Sequence, residues 1–190
     1  MSIGAGAEQT PHVLRAPQPR SFYEDSFNLA HEFPKDRPFT AWDIGCGDGA
    51  EVGKLAHLYP GIMILGIDKT RYPGRISPVP IIHERIENID AVVRQAREQG
   101  AFPPDFILAR NSLYYFHENG LNIGRAFDGL GTLLKGNPNT KMLVFDNMQN
   151  QTYSHYLELC ARLGLQTEVL PVGRKTTGKY IRISAGTPHA

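Results

Sequence analysis

Residues 41–49 read Ala-Trp-Asp-Ile-Gly-Cys-Gly-Asp-Gly, and a second acidic strand end, Gly66-Ile67-Asp68, follows. An apolar strand from Phe39 to Ile44 runs into three glycines at alternate positions. Glu51-Val52-Gly53-Lys54-Leu55-Ala56 then continues as a helix. Glycines at such a turn let the backbone bend sharply and let a ligand lie against bare main chain. Asp68 stands nineteen residues after Gly49, at the carboxyl end of the next strand. A carboxylate there accepts hydrogen bonds from ribose hydroxyls. The spacing selects the nucleoside. A dinucleotide site asks for Gly-x-Gly-x-x-Gly, with the third glycine opening a helix under a pyrophosphate. Here the pattern is Gly-x-Gly-x-Gly, preceded by Asp43. An acid at that place is a poor neighbour for phosphate and a good one for an ammonium.

This stretch resembles motif I of the class I S-adenosylmethionine-dependent methyltransferases, whose cofactor carries an amine and a sulfonium and no phosphate. Ile64-Leu65-Gly66-Ile67-Asp68 is similar to that family's ribose-binding strand end. The resemblance implies S-adenosyl-L-methionine as cofactor. Gly45, Cys46, Gly47 and Gly49 would cradle it, Asp43 would support its amine, and Asp68 with Lys69 would hold its ribose. After the third strand the family carries an acid or polar residue that reaches the adenine amine. In Ile82-His83-Glu84-Arg85-Ile86-Glu87, Arg85 falls at that position and Glu84 one before it. The adenine contact then passes in part to the backbone amide of Ile86.

Length and composition agree with one domain. A chain of 190 residues buries a proper core. A formal net charge of +1 gives no overall electrostatic drive to nucleic acid or to a membrane surface, so nucleic acid is not the expected partner. Two cysteines, Cys46 and Cys160, make no disulfide framework and point to reduced thiols and a cytoplasmic setting. No apolar run approaches the length of a membrane span, and the first residues lack the features of a signal peptide.

The periodicities predict a doubly wound, mostly parallel, Rossmann-like sheet of seven strands, closed by an antiparallel hairpin. Strands are expected at 39–44, 62–67, 79–83, 106–109, 141–146, 165–170 and 179–184. Helices are expected at 50–58, 89–99, 121–134 and 152–163. The last two strands are joined too tightly for a parallel crossover. Residues 1–19 read as loosely structured. Ser21 to Phe33 reads as one amphipathic helix, with Phe22, Phe27, Leu29 and Ala30 apolar and Pro34 as its stop. The expected division is an N-terminal tail with a lid or capping helix over 1–38 and the cofactor-binding domain over 39–185. Two readings of the helix stay open. As a lid it brings Phe22 or Tyr23 near the methyl group, and as a cap it covers sheet. One departure from the family stands out. Only eleven residues, Asp68 to Pro78, separate the second and third strands, with prolines at 73 and 78, and a full crossover helix does not fit. Either that helix is reduced to a turn or the strand lies elsewhere. The bared sheet face would call for the N-terminal helix or a second subunit, hence a homodimer.

Candidate catalytic residues follow the fourth and fifth strands, because ligands in open parallel sheets bind outside the carboxyl ends. Arg110-Asn111-Ser112-Leu113-Tyr114-Tyr115-Phe116-His117 supplies Asn111, Tyr114 and His117. Asn111-Ser112-Leu113-Tyr114 is similar to the Asn-Pro-Pro-Tyr motif of amino-group methyltransferases, without its prolines. An Asn carbonyl would face an amine there, and the aromatic cluster would favour a sulfonium by cation–π attraction. Val144-Phe145-Asp146-Asn147 resembles the magnesium-binding end of catechol-type O-methyltransferases. Those enzymes supply a further acid after the fourth strand, and Arg110 stands there instead, so no metal is expected. Asp146 is then expected at the pocket rim as substrate ligand or base. His117 and His155 are candidate bases, and His83 is expected to be packed. Arg174, Lys175, Lys179 and Arg182 form a basic turn suited to solvent or to an anion. The expected activity is transfer of a methyl group to N or O of a small molecule. Other chemistry on the same cofactor, and a non-catalytic cofactor-binding subunit, remain open alternatives.

Overall fold

In a computed structural model, residues 21–74, 77–113, 122–146, 150–172 and 179–186 are described. The elements are α1 (Phe22–Ser26), α2 (Leu29–Glu32), β1 (Phe39–Ile44), α3 (Ala50–Leu58), β2 (Ile62–Ile67), β3 (Ile81–Ile82), α4 (Ile89–Glu98), β4 (Phe106–Arg110), α5 (Ile123–Gly136), β5 (Lys141–Phe145), α6 (Asn150–Arg162), β6 (Leu165–Pro171) and β7 (Lys179–Ala185). Seven strands form one sheet in the order β3-β2-β1-β4-β5-β7-β6. The first five are mutually parallel, and β7 runs antiparallel to both β5 and β6. The order reverses between β1 and β4, which makes the carboxyl ends of those strands the switch point where a ligand crevice opens.

The strand period of two sorts side chains onto two faces. Trp42 and Ile44 of β1 join Leu65, Ile67, Ile107 and Val144 under the helices α4, α5 and α6. Phe39 and Ala41 point the other way, into a second cluster with Ile64, Phe106, Leu108 and Leu143 under α1, α2 and α3. Asp43 continues that second face, so the alternation turns its carboxyl toward the N-terminal helices. On the first face the indole of Trp42 donates to Ala101 O at 2.7 Å, which gives its buried N–H a partner.

The segment from Ser21 to Phe33 is not one helix. It is two helices of about one turn, broken at Phe27 and Asn28. The break lets the Phe27 ring enter the core edge-on to both Phe145 and Tyr180, at 6.2 and 5.6 Å between centroids. Phe33 packs tilted against Phe39 and Phe106. Glu32 is buried and accepts from the Tyr180 hydroxyl and from Arg182, which ties α2 to β7. Burying these rings is worth about 2–3 kcal/mol each, and the segment packs on the sheet. It covers the β1–β4–β5–β7 part of the face, and not the place beside β2 and β3 where a helix was expected to be missing.

That helix is indeed not seen among the described residues between Asp68 and Pro80. The connection itself fills the space. Pro78 lies so close to α3 that a Cβ on Gly53 would meet its Cγ at 2.2 Å, and Val79 is buried in the same cluster as Val52, Leu55 and Ile64. The expected need for a second subunit as cover loses its motive. The third strand is shorter than expected, two residues against five. No helix among the described residues is long and apolar enough to cross a membrane.

Candidate functional site

A cavity of about 300 Å³ opens at the carboxyl ends of β1, β2, β3 and β4. Its wall is built from four strand ends. From the first comes the glycine turn, from the second Asp68 and Lys69, from the third Glu84 to Glu87, and from the fourth Asn111 and Ser112.

The three glycines of the turn do different work, although each has positive φ. Gly45 admits the fourth strand's loop: a Cβ there would meet Ser112 Cβ at 2.4 Å. Gly47 faces the cavity, with the Tyr72 hydroxyl at 4.0 Å as the nearest atom to such a Cβ. Gly49 precedes α3 and faces the β2–β3 connection, where a Cβ would meet Ser77 Oγ at 2.2 Å. The third glycine therefore opens no space for a pyrophosphate. Cys46 is 8% exposed and packs its sulfur on Gly66, away from the cavity. Burial pushes its thiol well up, beyond the range in which a thiolate forms.

Asp68 lines the cavity, and each of its oxygens takes one backbone donor. Gly47 N donates to Oδ2 at 2.8 Å and Thr70 N to Oδ1 at 2.8 Å. A carboxylate retains acceptor sites beyond two such bonds. The Gly47 amide, which a phosphate would need, is already given to this carboxylate.

Asp43 lies behind the turn and is fully buried. The Tyr23 hydroxyl donates to its Oδ2 at 2.5 Å, and its Oδ1 has no partner among the described residues. Burial raises its pKa to about 7, while the Tyr23 hydroxyl and the nearby Arg110 guanidinium hold it down. It does not line the cavity wall.

Arg85, Ile86, Glu84 and Glu87 form the wall after β3. Arg85 Nε donates to Glu87 Oε2 at 3.2 Å, and Asn122 N donates to Glu87 Oε1 at 3.0 Å. Asn88 donates to Glu84, which holds that carboxyl below its ordinary range. Asn111 lines the wall in the left-handed region, φ 52°, a conformation asparagine tolerates better than most residues. Its N–H donates to Phe145 O at 2.7 Å.

Three expectations change place. Asp146 is not at a rim. It is 2% exposed, with Tyr156 donating to Oδ2 at 2.5 Å and Tyr153 donating to its carbonyl at 2.9 Å. Alternation along β5 ends in the core there, and α6 brings both tyrosines over it. His83 is exposed just past the short third strand, its Nδ1 3.1 Å from Thr70 O. His155 is half-buried on α6 and does not line the cavity. Tyr114 and His117, with Tyr115, Phe116, Asn147, Arg174 and Lys175, lie outside the described residues. Phe22 and Tyr23 do not reach the cavity wall. Phe22 is 53% exposed, its ring beneath Arg110 and Lys54 at 5.1 and 5.7 Å, and Tyr23 points at Asp43. Sequence reasoning missed Thr70, Tyr72 and Ser112 as wall residues. The one signal for Thr70 and Tyr72 was the shortness of the β2–β3 connection, which must press its side chains against the glycine turn; Ser112 gave none.

No family model and no curated protein matches this sequence. Solved structures do. The sugar N-methyltransferase KedS8 from Streptoalloteichus sp ATCC 53650 superposes with a TM-score of 0.60 over 98% of this chain and 99% of its own, at 11% identity. The fold is that of the class I S-adenosylmethionine-dependent methyltransferases. The 16S rRNA (adenine(1408)-N(1))-methyltransferase from Catenulisporales acidiphilia superposes at 0.51, over 80% of this chain and 90% of its own, at 15% identity. The aminoglycoside resistance methyltransferase NpmB1 does so at 0.50, over 84% and 93%, at 16% identity. At such identities the likeness is one of fold.

Proposed function

We propose that this protein is an S-adenosylmethionine-dependent methyltransferase that methylates N or O of a small molecule. One observation carries the reading: the Asp68 carboxylate, bonded to the Gly47 amide, lines the cavity at the switch point. That arrangement suits a ribose and an amino acid arm. It does not suit a pyrophosphate, because the turn's amide is taken by an anion and Gly49 is closed by Ser77.

The residues present fit the cofactor. Gly45 and Gly47 offer bare main chain, and Asp68, Lys69, Arg85, Ile86 and the neighbouring acids line the cavity; Asp68 and Lys69 would hold the ribose, and Arg85 and Ile86 would meet the adenine. Asp43 would support the ammonium through its charge, from behind the turn. When bound, the cofactor supplies an electrophilic methyl group on a sulfonium, and this reaction needs mainly alignment of the incoming N or O. Asn111 stands on the wall beside the turn and can orient an acceptor through its side chain. Tyr114, His117 and Asp146 remain candidates for closing the substrate side, Asp146 by holding the end of β5 through its tyrosines. The small-molecule acceptor is supported by the near-neutral chain and by the full-length likeness to a sugar N-methyltransferase.

Titration calorimetry tests the cofactor. S-adenosylhomocysteine binds with micromolar or tighter affinity and NAD does not. Equal affinities would overturn the reading. Incubation with methyl-labelled cofactor and ribosomal RNA tests the acceptor, because RNA labelling would replace the small molecule.

A further inference from the structure

We propose that Tyr23 is a positioning residue for the cofactor turn, fixing the orientation and charge of the Asp43 carboxylate at the root of Gly45 and Gly47. The proposal rests on the cofactor reading above. It starts from a buried cluster that this reading does not otherwise use.

Asp43 is the penultimate residue of the central strand, in full burial, and only one of its oxygens is engaged, by Tyr23. A buried carboxylate oxygen with no donor is unfavourable, so the site is arranged for a donor that arrives. A water carried in with a ligand ammonium is such a donor. The groups that face Asp43 come from every element around it: Tyr23 from α1, Arg110 from β4, Asp68 from the end of β2 and Cys46 from the turn itself. Tyr23 and Arg110 favour the ionised form, while burial and Asp68 oppose it. The balance leaves Asp43 titrating at about 7, so one lost hydrogen bond changes its charge at neutral pH. The Tyr23 hydroxyl keeps its proton, since burial and then Asp43 push its own ionisation well up.

Tyr23 is held in place for this work. Its N–H donates to Ser21 Oγ, and its ring stacks 6.4 Å from Phe27. One turn on, Ser26 Oγ accepts from Arg110 Nε at 2.8 Å, and Phe22 N donates to Glu51 on α3. The same short helix therefore touches the strand end before the turn, the residue before Asn111 and the helix after the turn. A shift of α1 would be felt at three places around the glycine turn at once.

The test is the pH dependence of S-adenosylhomocysteine affinity in the parent and in Tyr23→Phe, from about pH 5 to about pH 9. Removing the hydroxyl raises the Asp43 titration. Well below pH 7 both proteins hold a neutral Asp43, and their affinities are alike. Just above pH 7 the parent is mostly ionised and the variant is not, so the variant is weaker by roughly three- to tenfold. At the highest pH the ratio shrinks again. The ligand's own titration is common to both proteins and cancels in the ratio. In an Asp43→Asn background the same substitution has no pH-dependent effect. A ratio that is flat across pH, or that persists with its pH dependence in that background, overturns the proposal while leaving the cofactor reading intact. A parent that binds no S-adenosylhomocysteine at any pH overturns both. If Tyr23→Phe does not fold, Asp43→Asn alone decides: its affinity stays flat where the parent's rises through neutrality, and a parallel rise overturns the proposal.

Discussion

The ends of β1 and β2 are neighbours in the sheet and each carries an aspartate, yet the two carboxylates live under opposite rules. Asp68 stands at the cavity wall with a backbone donor on each oxygen. Asp43 is two residues short of its turn, on the face sealed by α1, with one hydroxyl donor. The parity of the strand decides this. Asp43 shares its side of β1 with Phe39 and Ala41 and is carried into that core, whereas Asp68 lies one residue beyond the last strand position of β2 and escapes it. In the proposed function one acid recognises the cofactor, and the other sets the charge behind the turn that recognises it.

The largest expected effect comes from removing what seals Asp43. Phe27 is fully buried between Phe145 and Tyr180, and it holds α1 against the sheet. Phe27→Ala should cost about 3–5 kcal/mol of stability in chemical denaturation. A cost under about 1 kcal/mol would mean that α1 and α2 sit loosely, and the contrast between the two acids would collapse.

Asp68 sharpens the other side. Asp68→Ala should weaken S-adenosylhomocysteine binding by about 1–3 kcal/mol in calorimetry, the loss of a charged hydrogen-bond partner. An unchanged affinity would put the ribose elsewhere on the wall.

The contrast also marks how far a single sequence could be read. The glycine turn, its flanking strand and helix, and Asp68 were legible because each is a local signal: glycine spacing, apolar alternation and strand length. The same holds for the antiparallel hairpin of β6 and β7, whose linker is too short for a crossover. What escaped notice depends on contacts between distant parts of the chain. Nothing in Ser21–Phe33 announces the break at Phe27, which is set by rings on β5 and β7. Nothing near Tyr23 announces Asp43, nor does Glu32 announce Arg182 about 150 positions away. Asp146 read as a rim residue because its tyrosine partners lie on the next helix. Tyr72 was silent because the connection that carries it has no period to read.

The smallest effect, and the one most specific to the comparison, is a pH slope in stability. Asp43 titrates at about 7 in the folded chain, above the ordinary carboxyl value of 3.8. A raised value means that the folded state holds the proton more tightly than the unfolded state. The stabilisation is therefore full below about pH 4 and is lost as pH rises through about 7. Asp43→Asn removes the titration while keeping an oxygen to accept from Tyr23. The substitution has its own cost, since the new amide donors are buried, but that cost does not vary with pH. The difference in Tm between parent and variant should therefore move against the parent between about pH 6 and about pH 7, by a few degrees, equivalent to about 1 kcal/mol over that one unit in a domain of this size. Parallel Tm curves would mean that Asp43 is ionised throughout, and the sealed acid would then differ from its exposed neighbour in position alone.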